Sequence, residues 1–117
     1  MRWLILIGDE KFDIDTIKAI KHWGCVDCYD VSCIKGRYCV DFGTDHIFYD
    51  VNESIEDFES YFHKIPYAFP HFITMTYTCE KRVKNILKQN DFPKNIYIDN
   101  GLLMPIKRFI ELGLPLH

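Results

Sequence analysis

Phe72-Ile-Thr-Met-Thr-Tyr-Thr78, then Cys79 to Gln89, then Asn95-Ile-Tyr-Ile-Asp99 read in succession as strand, helix and strand. The first and third segments are β-branched and aromatic, the residue types that fit a pleated, half-buried surface. Between them Cys79, Val83, Ile86 and Leu87 fall on one stripe of a helical wheel. Two strands joined by a helical segment are most simply a right-handed βαβ unit with parallel strands, so Phe72–Asp99 sets the expected fold class.

Working outward, Arg2 to Ile7 is a continuous apolar run, as expected for a strand covered on both faces. Asp13 is placed to cap a helix, and Ile14, Ile17, Ile20 and Trp23 predict one over 14–23, with Gly24 as its left-handed stop. Cys25 to Val31 reads as a second strand. Tyr38 to Phe42 and His46 to Val51 are separated by Gly43-Thr44-Asp45, the spacing of an antiparallel hairpin. Ser54-Ile-Glu-Asp57 has the form of a capping box, and Ile55, Phe58, Phe62 and Ile65 predict a helix ended by Pro66. Lys64 to Phe72, with Pro66 and Pro70, is a connection. Asn100-Gly101 makes a turn, and Pro105 opens a last helix with Ile106, Phe109, Ile110 and Leu112 facing inward. The expected architecture is a single α/β layered domain over residues 1–117. It has a mixed sheet of about five to six strands with the Tyr38–Val51 hairpin, the parallel βαβ unit and about four helices.

At 117 residues the chain is long enough to bury a core without staples. Five cysteines, an odd number, argue against a disulfide framework. The apolar run from Trp3 to Ile7 is too short for a membrane span or a signal peptide, so a cytoplasmic location without membrane contact is expected.

Charge is unevenly divided. Residues 1–63 hold 6 basic and 13 acidic side chains, net −7; residues 64–117 hold 8 and 4, net +4, and the two sum to −3. The densest acidic run is Asp41, Asp45, Asp50, Glu53, Glu56, Asp57 and Glu59, with Tyr49, Tyr61 and Phe62 interspersed. Carboxylates beside aromatics suit a protein interface in which aromatic anchors are ringed by charge. Asp41, Asp45, Tyr49, Asp50, Glu53, Glu56, Asp57 and Glu59 are therefore the candidate partner-binding residues. The same stretch also reads as a solvated acidic face over core aromatics.

With one α/β domain, this acidic half and no catalytic motif, the chain resembles the small immunity proteins that protect bacteria from their own polymorphic or contact-dependent toxins. The resemblance implies a cognate, basic, nuclease-like toxin as partner, contacted through the acidic run.

Other chemistry fits less well. Cys25-Val-Asp-Cys28 has no second thiol pair or histidine pair to complete a metal site, and small, partly buried thiols are the simpler reading. Asp9 follows a strand where open α/β folds place ligands, and Thr78 and Asp99 are expected at other strand ends. Together they outline an alternative enzyme or nucleotide-responsive site. No glycine-rich phosphate loop or nucleophile elbow is present, so no cofactor or metal is expected. Lys81, Arg82, Lys84 and Lys88 make a basic helix face, but a pI near 5.9 argues against nucleic-acid binding. A homodimer through an exposed hairpin strand is a further expectation.

Overall fold

The computed structural model describes residues 2–52 and 63–116. Its frame is one sheet of seven strands: β1 (Arg2–Gly8), β2 (Asp27–Asp30), β3 (Arg37–Asp41), β4 (His46–Asn52), β5 (His71–Tyr77), β6 (Tyr97–Asp99) and β7 (Leu103–Pro105). Their order is β2-β3-β4-β5-β1-β6-β7, and every neighbouring pair is antiparallel. Three short helices complete the described residues: α1 (Ile14–Lys18), α2 (Glu80–Lys88) and α3 (Ile106–Glu111).

This overturns the mixed α/β sheet and its parallel βαβ unit. β5 and β6 run in the same direction, but β1 lies between them and pairs antiparallel with both. Leu4, Leu6 and Ile7 of β1 are fully buried, and a strand so buried needs ladder partners on each side. The strand–helix–strand spacing fixed the relative direction of β5 and β6. It carried no information about a third strand, about 70 residues earlier, taking the place between them. The Tyr38–Val51 hairpin is present as β3 and β4, with Tyr38 opposite Tyr49 and Val40 opposite Ile47.

Strand alternation gives the sheet two unlike faces. Leu4 and Leu6, Val40, Ile47 and Tyr49, Ile73 and Met75, and Ile98 project to one side, where Ile17 of α1, Val83, Ile86 and Leu87 of α2, and Ile106 and Phe109 of α3 complete the main core. The other side carries a smaller cluster of Ile7, Ile65 and Phe72, with Tyr67, Tyr97 and Leu103 packed beside it.

The first helix differs from expectation. Asp13 caps α1 as read, its carboxylate accepting from the Thr16 amide at 3.1 Å while Thr16 Oγ1 accepts from the Asp13 amide. The helix nonetheless stops at Lys18 instead of running to Trp23. Beyond it the Lys21 amide donates to Asp91 and the Lys21 carbonyl accepts from the Gln89 side chain, so this backbone is satisfied by tertiary partners in place of helical ones. Trp23 is left exposed. The helix expected over Ser54–Ile65 falls mostly on residues outside those described. No described helix is long and apolar enough to cross a membrane.

Candidate functional site

On the side of the sheet away from α1, α2 and α3, one line of directly opposed residues crosses five strands: Tyr29, Cys39, Phe48, Thr76 and Trp3. Period-two alternation puts them all on the same face. Trp3 is 49% and Tyr29 43% exposed, Phe48 and Thr76 are half-buried, and Cys39 is fully buried. Contact with the Cys39 thiol raises the pKa of the Tyr29 hydroxyl.

Charged pairs border this row. Arg37 Nε donates to Asp50 Oδ1 at 2.7 Å and Nη2 to Oδ2 at 3.2 Å, a two-pronged bond across β3 and β4 that raises the arginine pKa. The Arg37 guanidinium also lies 5.0 Å from the Phe48 ring centre. On the other flank the His46 imidazole stacks on Phe48 with an interplanar angle of 6°, its Nε2 3.4 Å from Asp41 Oδ1. Asp27 stands opposite Asp41 on the edge strand. Beside the Arg37 guanidinium, the border holds the carboxylates of Asp27, Asp41 and Asp50. The row is thus an aromatic surface with an acidic margin.

The sequence-derived candidates separate into different roles. Asp41 and Asp50 lie on this margin. Asp45 sits in the β3–β4 turn and faces the helical layer, where Arg82 Nε and Nη2 reach its two oxygens at 2.9 and 3.0 Å. That guanidinium holds the Asp45 carboxyl below the usual range, so Asp45 ties the hairpin to α2. Tyr49 is fully buried in the main core, its hydroxyl 2.8 Å from His22 Nε2. Burial raises the tyrosine pKa and lowers that of the histidine. Glu53, Glu56, Asp57 and Glu59 lie outside the described residues.

Asp9, Thr78 and Asp99 are not brought together. Asp9 follows the end of β1 and accepts from the Lys11 amide, whereas Thr78 follows Tyr77, which pairs with Arg2 at the opposite end. At about 3.3 Å per residue the two are about 26 Å apart along the sheet. Asp99 pairs across from Ile5, in mid-strand, and accepts from the Gly101 amide. The antiparallel insertion of β1 is what sends these strand ends in opposite directions.

The thiols also differ from expectation: Cys25, Cys28 and Cys33 are exposed, Cys79 is half-buried and only Cys39 is buried. Among the described residues no three His, Cys, Asp or Glu side chains converge as a metal site. Both hairpin strands have neighbours on each side, so the sheet edges are β2 and β7. At the β2 edge the Asp27 carboxylate accepts from the Cys28 amide at 2.9 Å, and β7 is only three residues long and ends in Pro105. These are devices that discourage strand addition.

Sequence reading missed Trp3, Tyr29, Phe48 and Arg37 as surface-forming residues. Their positions alternate with core residues along β1 to β4, but that signal emerges only once the register is known. Comparison with protein-family models, curated proteins and solved structures finds no match for this chain.

Proposed function

We propose that the protein is a binding protein of the immunity type, which neutralises a basic, nuclease-like toxin in the cytoplasm through the aromatic row of its sheet. The observation that carries this reading is the line Tyr29–Phe48–Trp3, with two of its rings substantially exposed and an acidic margin around them. Tryptophan and tyrosine dominate binding energy when a partner desolvates them, and the Arg37–Asp50 pair fixes the ground beside them in advance. The excess of carboxylates at the margin selects a basic partner and speeds encounter with it.

Compared with a purely acidic interface, this reading moves the affinity to the aromatics. Asp45 and Tyr49 support the surface from within, and Asp41 and Asp50 contribute at its border. The test is capture from a lysate of the source cells on immobilised wild-type protein, run beside a Trp3→Ala/Phe48→Ala double variant. A basic protein held by the wild type and lost by the double variant is the expected result. Equal retention by both would remove the sheet face from the account.

A further inference from the structure

The helical layer holds a cleft of about 470 Å³ between α2 and the Trp23 loop, within the size range of small-molecule sites. The Trp23 indole forms one wall, the buried Ile86 lies at its base, and the Asn85 and Gln89 amides and the Lys81 and Arg82 cations complete the lining together with Cys79. No carboxylate is among these lining residues.

Arg82 is held before any ligand arrives. Nε and Nη2 are taken by Asp45, and the guanidinium carbon stands 3.9 Å from the centre of the Phe42 ring. Nη1, which makes no bond to Asp45, lies 3.6 Å from where a side-chain carbon at Gly24 would begin, beside Trp23. A guanidinium has five N–H donors, so this geometry leaves the Nη1 pair outside the Asp45 bond, on the Gly24 side of the cleft. On the indole itself the Lys21 ammonium sits 4.3 Å from the ring centre.

We propose that this cleft binds a nucleoside monophosphate. Its base would stack on Trp23, an aromatic platform that accepts any base because every base has a π-face. The exposed Asn85 amide is the donor–acceptor group that pairs with a base edge, while the Gln89 amide nitrogen, held by the Lys21 carbonyl and Asp91, braces the wall beside it. Lys81 and the Nη1 side of Arg82 supply the charge-assisted donors for the phosphate. The site lies on the opposite layer from the aromatic row, so it stands or falls independently of the binding function above.

A Trp3→Phe variant leaves Trp23 as the sole tryptophan, and its fluorescence reports on the cleft. AMP, GMP, CMP and UMP are titrated into it beside adenosine and inorganic phosphate. Saturable quenching by at least one nucleotide is expected, with adenosine and phosphate each binding about tenfold more weakly or worse. Lys81→Ala and Asn85→Ala, both at exposed positions, each weaken that nucleotide about tenfold and leave the melting temperature unchanged. The proposal is overturned if no nucleotide quenches at millimolar concentration, or if both substitutions leave affinity intact. It is equally overturned if phosphate alone binds as tightly as the nucleotide, which would make this a bare anion site.

Discussion

The two faces of the sheet are built by the same strands and differ in almost everything else. On β4, Ile47 and Tyr49 go to the helical side and are buried, whereas His46, Phe48 and Asp50 go to the other and stay partly accessible. On β1, Leu4 and Leu6 are fully buried while Trp3, one residue away, is 49% exposed. The helical side is closed by side chains from α1, α2 and α3. The other side is closed among the described residues only at one end, by the Ile7, Ile65 and Phe72 cluster. Period-two alternation therefore separates folding from recognition residue by residue, so substitutions one position apart should have opposite phenotypes.

The sharpest break between the faces is Tyr49→Ala. It empties a fully buried aromatic site and removes the partner of His22, so a loss of about 3–5 kcal/mol is expected from chemical denaturation. A loss below about 1 kcal/mol would mean that the helical face is not the core described.

Asp45→Ala comes next. It strands the Arg82 guanidinium in a half-buried place and unties the hairpin from α2, at a cost of about 2 kcal/mol. The Asp45 pKa is lowered in the fold, so its stabilisation is complete above the unfolded value near 4 and is lost as pH falls through the folded value. Acid titration of the melting temperature should therefore lose part of its drop in Asp45→Asn. An unchanged acid limb would show that the brace contributes nothing.

His22 acts in a higher window with the same sign. Burial lowers its pKa, so the unfolded chain takes up the proton first and stability rises with pH up to about 6.5. The slope between the lowered value and about 6.5 should flatten in His22→Gln. A slope retained in that variant would assign it to another group.

The second face should respond the other way. Trp3→Ala is expected to change stability by less than about 1 kcal/mol but to weaken partner binding by about 2 kcal/mol or more. At the edge the expected effect on folding is smallest. Asp27→Val releases the Cys28 amide and removes a charge, so stability shifts by about 0.5 kcal/mol or less, while sedimentation should reveal concentration-dependent self-association. A variant that stays monomeric would show that Asp27 does not guard the edge.

Local features were legible in the sequence because they rest on neighbours along the chain. The Asp13 cap, the Val83, Ile86 and Leu87 stripe of α2 and the turn between β3 and β4 are of this kind. Features set by distant partners were not. The early end of α1 depends on Asp91 and Gln89, and the adjacency of β1 to both β5 and β6 depends on a pairing no local pattern encodes. The same limit explains the site. Alternation could not say which side of β4 would be buried, so Tyr49 read as an anchor and Phe48 did not. Asp45 and Asp50 read as free acid until their arginines, Arg82 and Arg37, were placed beside them.

The most direct test is the association rate constant between this protein and the captured basic partner, measured at low and high salt for wild type and for Trp3→Ala/Phe48→Ala. Association that slows steeply with salt, together with complexes of the double variant that dissociate far faster, is the result this structure predicts. Rates indifferent to salt, with dissociation untouched by losing both rings, would contradict it.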